Sequence, residues 1–299
     1  CLAVAVILNI FLDILFVHTF SMGLRGAAHA TNIAQCIAGV LCMAYLLFRF
    51  RELVPKGQEW QVQRRKYQEM TIFGISLGMM SCFVSIGTVI FQTAVNRLGT
   101  KIVTAHIAAR RIEELTNVPM LCTGMAMTTY ASQNLGAGEY DRIKKGIHQA
   151  FVIVLVQGVI FTTFCWIFGH PLIRWITSSN DTYILDTAYR YLTRNTSFYF
   201  VLGPLFVLRC SLQGLEHKVI PVGSSILELV LKIVSTIWIV PVLGYTGVIY
   251  TEPIIWTFMT LMLIGGYVRA LKQINEAEHI KSARNAKAEN EKINVDNRL

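Results

Sequence analysis

An all-α, polytopic membrane fold is what this chain predicts, on three observations: its apolar composition, the length of its apolar runs, and the sidedness of its basic residues. Of 299 residues, 54% are hydrophobic and 15% charged, against soluble averages of about 45–50% and 25%. Eight runs are long enough to cross a bilayer, which takes about 20 mainly apolar residues. They are 2–20, 27–48, 70–95, 102–131, 148–168, 191–212, 219–242 and 247–268. With eight alternating crossings, eighteen of the 27 Lys and Arg fall on one side and six on the other. Positive charge marks the cytoplasmic face, so both visible ends, the C-terminus included, are expected there. Topology thus accounts for the net charge of +9. A nucleic-acid groove is excluded, because the charges are spread over several loops with no aromatic-basic cluster.

Taken in order, the first span is almost wholly apolar except for Asn9 and Asp13. Gly23-Leu24-Arg25-Gly26 then supplies a tight turn into the second span. The polar stretch 49–66 is the longest connection between spans and divides the chain into 1–48 and 67–270. The third span carries Gln92 and Asn96 at its end, four residues apart. The fourth holds Arg110, Arg111, Glu113 and Glu114, whose i,i+3 and i,i+4 spacings offset one another as a structural charge cluster. The sixth contains no acid, and its Arg194 and Arg209, near the two ends, are counted with the loop cations. The seventh pairs Glu228 with Lys232, and Gly244-Tyr245-Thr246-Gly247 turns the chain into the eighth. From 271 to 299 a Lys-, Glu-, Asn- and Ala-rich cytoplasmic tail lacks apolar periodicity and reads as a frayed helix or disordered segment.

Asp13 carries the functional signal. An ionised carboxylate at membrane depth costs at least several kcal/mol, so its default meaning is a pathway for ions, protons or substrate. Asn9 lies on the same helix face, four residues away. The turn at 21–26 brings Thr31 alongside, about 6 Å below the outer end, with Asp13 about 11 Å down. Carboxylate, amide and hydroxyl are hard oxygen ligands suited to H⁺ or Na⁺. An interhelical polar clamp is the bland alternative. The two glycine turns recur 221 residues apart, as expected if each half of the protein has six spans. On that reading the chain, which opens on Cys1, is a fragment lacking about four helices and about 150 preceding residues.

The motif set Asn9-x-x-x-Asp13, Gly23-x-x-Gly26-Ala27-Ala28-x-Ala30-Thr31, Gln92-x-x-x-Asn96-x-x-Gly99, Gln133-Asn134-Leu135-Gly136-Ala137-Gly138 with Arg142, and Arg209-x-x-Leu212-Gln213-Gly214 with Pro221 resembles the multidrug and toxic compound extrusion (MATE) family. The resemblance implies a twelve-helix, two-lobed (6+6) antiporter, of which eight helices are visible. Its function would be secondary active transport, exporting organic and often cationic compounds against H⁺ or Na⁺. It also implies a coupling site at Asp13, Asn9 and Thr31, with Gln92 and Asn96 lining the substrate cavity. A multi-pass protein of the cell membrane, working on small organic substrates in lipid without cofactor or obligatory protein partner, follows from the same likeness. Another branch carries acids on its seventh and tenth helices. Spans 70–95 and 191–212 contain none, which argues against an ion site in the second lobe. Ser132 and Glu252-Pro253 depart from the family pattern.

Other readings are weaker. A lipid-linked oligosaccharide flippase of related architecture would need inward-facing cations, and only Arg110, Arg111 and Lys232 are available once Arg194 and Arg209 are counted with the loops. Gly74-Ile75-Ser76-Leu77-Gly78 matches a hydrolase nucleophile signature but sits in a span and not at a strand–helix elbow, so an intramembrane protease using Ser76 is remote and no enzyme is expected. The seven cysteines lack metal spacing and read as buried apolar residues. Met79, Met80, Met125 and Met127 suggest either a pliable binding surface or ordinary packing. Asn180 and Asn195 open glycosylation sequons on the outer side.

Overall fold

The computed structural model describes residues 2–53, 57 and 63–296, and all regular structure among them is helical. Two compact units emerge, Cys1–Glu69 and Met70–Leu299.

In the first unit, α1 (Leu2–Asp13) runs directly into a π turn at Ile14–Thr19, and α2 (Gly23–Arg49) folds back beside it. The buried face of α2 is a stripe of small residues at every fourth position, Gly26, Ala30, Ala34 and Ala38. Such spacing lets two backbones approach closely, the main source of helix association in lipid. A short 3₁₀ turn, Arg51–Leu53, follows.

The second unit contains α3 (Arg64–Asn96, from residue 70 onward), α4 (Thr100–Ala137), α5 (Tyr140–Thr177), α6 (Thr182–Thr196), α7 (Tyr199–Gly214), α8 (Val219–Val234), a π turn at Ser235–Ile239, α9 (Val240–Leu243) and α10 (Tyr245–Asp296). α4 is its centre and packs on α5, α6 and α7. Gly138 ends α4 in the left-handed conformation, its N–H returning to the carbonyls of Asn134 and Leu135.

Among the described residues, five helices are long and apolar enough to cross a membrane: Gly23–Arg49, Arg64–Asn96, Tyr140–Thr177, Val219–Leu243 and Tyr245–Glu276. Ala3–Thr19 and Tyr199–Gly214 are shorter apolar helices. Large apolar side chains such as Phe48, Val89, Val159 and Trp238 point outward, the natural face toward lipid. The single sixth span expected at 191–212 is instead two helices that start earlier, at Thr182, and break at Ser197–Phe198. Thr196 and Ser197 donate to the carbonyls of Leu192 and Thr193 at 2.8 and 2.7 Å. Side-chain bonds of this kind compete with the helical ladder. The seventh span re-registers through its π turn just before Pro241, which has no N–H to continue an i→i+4 ladder.

The glycine echo is also an echo of backbone. The π turns begin 221 residues apart, at Ile14 and Ser235. Gly23 and Gly244 both take positive φ, +55° and +58°, which only glycine adopts without strain. A Cβ at Gly26 would meet the Phe16 backbone at 3.1 Å, and one at Gly247 would meet the Ile239 carbonyl at 3.1 Å. At the far end, Ala270 and Ile274 of α10 are buried in the core and Lys144 reaches Glu278 at 2.7 Å. Helix α10 is therefore packed beyond residue 270.

Candidate functional site

The polar residues of the first unit meet where the geometry brings α1 and α2 together. Asn9 donates its side-chain amide to Thr31 Oγ1 at 3.4 Å, and Thr31 donates to the Ala27 carbonyl at 3.0 Å. Asp13 sits one turn after Asn9, at the junction of α1 with the π turn. Its Oδ1 is buried without a hydrogen-bond partner. A desolvated carboxylate oxygen of this kind is costly unless a proton or cation can neutralise it. The donor set of carboxylate, amide carbonyl and hydroxyl fits a small hard cation or a proton.

The second unit holds a larger polar assembly that sequence spacing shows only in pieces. Two apolar clusters fill the unit: one joins the start of α4 with Tyr191, Leu192 and Ile249, the other the end of α4 with Tyr199, Leu205 and Ile255. Between them on α4 lie Glu113 and Thr116, between them on α6 Asn195 and Thr196, and between them on α10 Glu252, all buried. Through this layer runs a chain of alternating charge. Tyr191 donates to Glu113 Oε2 at 3.2 Å, and Arg110 donates to the same oxygen at 3.1 Å. Arg110 lies 3.6 Å from Glu252, which lies 3.7 Å from Lys232. Lys232 donates to Glu228 at 3.0 Å and to Thr88 at 3.2 Å. Glu228 is 3.7 Å from Arg209, whose guanidinium donates to Ser225 at 2.9 Å. Three acids face three bases, so the chain closes on itself electrically. Ion pairs at this depth survive only with such pairing.

A family profile described as MatE matches residues 77–238, more than half of the chain. The chain belongs to the MatE family. A curated relative, the "Probable multidrug resistance protein YpnP" of Bacillus subtilis (strain 168), is 28% identical over 238 residues, which are 78% of this chain and 50% of the relative. The chain thus spans about half the length of the relatives it matches. Two solved structures share the fold. "Crystal structure of MATE in complex with MaL6" aligns with a TM-score of 0.80 at 20% identity, covering 92% of this chain and 62% of that one. "Outward-facing conformation of a multidrug resistance MATE family transporter of the MOP superfamily" aligns at 0.79 and 21%, covering 92% and 61%.

Within this MatE chain, several expectations need correction. Arg209, counted among the loop cations, lies inside α7 with a side chain only 15% exposed. The quartet on α4 is not one cluster: Arg110 and Glu113 point inward, while Arg111 and Glu114 form a separate exposed pair at 3.4 Å. Among the described residues Cys36, Cys42, Cys82 and Cys122 are exposed and only Cys165 and Cys210 are buried, all as free thiols; Cys1 lies outside the described residues. The four methionines share no surface, since Met79 and Met125 point outward and Met80 and Met127 inward. Asn195 is fully buried and donates to the carbonyls of Tyr191 and Ile249, so its sequon is closed; Asn180 is exposed. Ser76 donates to the Ile72 carbonyl of its own helix at 2.8 Å, and His106 packs against Tyr191 and Tyr245. Neither has the geometry of a nucleophile and its base.

Gln92 donates to Asn96 at 2.9 Å, so these two satisfy each other along α3. Nearby, Thr93, Arg97, Thr236 and Val240 line a cleft of about 560 Å³ between the end of α3 and the second π turn. Sequence reasoning did not connect Arg209, Tyr191 or Glu252 with the charge chain they join. Of these only Glu252 had a legible signal: a carboxylate in an apolar run, 221 residues after Thr31.

Proposed function

We propose that this chain is part of an ion-coupled antiporter that exports organic compounds, with Asp13, Asn9 and Thr31 as its coupling site. The observation that carries the reading is the buried, unpartnered Asp13 Oδ1 one turn from the Asn9–Thr31 contact. It is supported by family membership and by the multidrug-resistance name of a relative. Residues 1–48 would close the first lobe, 49–66 link the lobes, 67–270 form the second, and 271–299 extend into the cytoplasm of a cell-membrane protein. Small organic compounds would be the substrates, with Gln92 and Asn96 at the cavity wall and no cofactor or second protein required.

Asp13 without a bound cation favours a conformation that hydrates it, and neutralised by H⁺ or Na⁺ it tolerates closure in lipid. The π turn that starts at the next residue, a common feature of functional helices, lets the outer end of α1 move relative to its inner end. Ion exchange at Asp13 would thereby bias which side the cavity faces, and the gradient would drive substrate outward. Full-length protein in vesicles under an imposed pH or Na⁺ gradient tests this. Asp13→Asn should insert and fold yet lose gradient-driven efflux; efflux at the wild-type rate from that variant overturns the assignment.

A further inference from the structure

We propose that the α8–α10 junction of the second unit is a monovalent-cation site held shut by a tethered cation, the Lys232 ammonium. The reasoning starts from the repeat. Helices α1 and α2 correspond to α8 and α10 at an offset of 221 residues, with matching π turns and glycine turns. At that offset Thr31 corresponds to Glu252 and Asn9 to Val230, and Lys232 lies two residues beyond Asn9's counterpart. In the first unit the contact across the helix pair joins Asn9 to Thr31; in the second it joins Lys232 to Glu252. The position corresponding to Asp13 is Val234. One unit therefore has an acid and no resident cation at this junction, and the other has its acids together with a cation fixed to the chain.

The surroundings of Lys232 are those of a coordinated ion. Its ammonium has Glu228 Oε1 at 3.0 Å, Thr88 Oγ1 at 3.2 Å and Glu252 Oε1 at 3.7 Å, and its side chain is 4% exposed. These are two carboxylates and a hydroxyl, the oxygen types that a free Na⁺ would also take. Gly87 makes room for the arrangement, since a Cβ there would stand 3.1 Å from Lys232 Cδ. Two further polar atoms of the same unit are left unpartnered: Glu113 Oε1, on a residue 1% exposed whose other oxygen binds Arg110, and Thr236 Oγ1, one turn beyond Lys232 on the wall of the 560 Å³ cleft. Without Lys232, three buried acids would face two arginines, and the missing charge would have to come from solution. Lys232 thus confines free-ion exchange to the first unit, a consequence that rests on the coupling role of Asp13; the site itself does not.

The test uses purified full-length protein at pH 8.5, where protons compete least, and measures ²²Na⁺ binding in an Asp13→Asn background. Asp13→Asn alone should bind no Na⁺. Adding Lys232→Met should create one Na⁺ per chain, and adding Glu252→Gln to that pair should abolish it. If the Lys232→Met protein is unstable, Na⁺ but not choline should restore a monodisperse, cooperatively melting species. Absence of Na⁺ binding by the folded variant, or equal aggregation in both salts, overturns the proposal, as does Na⁺ binding by Asp13→Asn alone that Glu252→Gln removes. Loss of the Asp13 coupling role would show separately, as unchanged efflux in Asp13→Asn.

Discussion

The first and second units solve one problem in two ways. Each brings a helix pair together around a glycine turn and a π turn, and each places polar groups across the junction. In the first, a single acid stands beside neutral partners, with one carboxylate oxygen unpaired. In the second, three acids alternate with three bases over four helices. A lone carboxylate in lipid must be neutralised by something mobile, whereas a balanced chain needs nothing from solution. The difference teaches that burial of charge is not by itself a sign of ion exchange: what matters is whether the compensating charge belongs to the chain.

The contrast can be broken most sharply at Arg110, which serves both Glu113 and Glu252. Arg110→Met leaves two buried acids short of a base and should lower the unfolding free energy by about 3–5 kcal/mol. Asp13→Asn should leave stability almost unchanged. Denaturant unfolding in detergent reads both, and equal midpoints for the two variants would remove the distinction.

A smaller effect is expected at the shared turn. Gly26→Val and Gly247→Val each push a side chain into the backbone of the preceding segment and should cost about 1–3 kcal/mol. Gly39→Ala, with nothing within 4 Å of its Cβ position, serves as the control and should melt like wild type. Asn9→Ala removes one hydrogen bond between membrane helices, about 0.6 kcal/mol on average. Its thermal midpoint should therefore barely move while the coupling ion binds more weakly; unchanged ion affinity would exclude Asn9 from the site.

The smallest effect belongs to Lys101 and Asp181, an exposed lysine and a half-buried acid 2.7 Å apart in the second unit. The hydrogen bond from Lys101 holds the Asp181 carboxyl below the usual carboxylate range, and the same contact raises the lysine. With the acid depressed, its contribution is complete above the ordinary carboxylate range and lost as pH falls through the lowered value. With the lysine raised, its contribution is complete below the ordinary lysine range and lost only above it. Between about pH 5 and pH 9 the pair's contribution should be flat, on ordinary values near 3.9 and 10.4. Melting of Lys101→Met against wild type at pH 5, 7 and 9 checks this, and any difference should shrink with salt.

Much of the fold was legible because each membrane segment announces itself locally. The turns at Gly23 and Gly244 were readable for the same reason, since one residue type suits their backbone. The break at Ser197–Phe198 was not, because it comes from hydroxyls bonding back to their own helix inside an otherwise apolar run. The contact of Asn9 with Thr31 could be anticipated from spacing and a short turn. Arg209 and Glu252 could not, because their partners lie on other helices: Arg209 reads as a loop cation and Glu252 as an oddity before a proline until α7, α8 and α10 are packed together.

The sequence by itself determined that this is a helical membrane protein, where some of its segments lie, such as 219–242, and that α1 carries an acid in an otherwise apolar run. These are local properties, because transfer from water to lipid is nearly additive over about 20 residues. Only the tertiary structure decided which charges compensate which. Arg110 and Glu252, 3.6 Å apart in space, are 142 residues apart along the chain. Coulombic pairing depends on distance through a low-dielectric interior, and no periodicity along the chain encodes it.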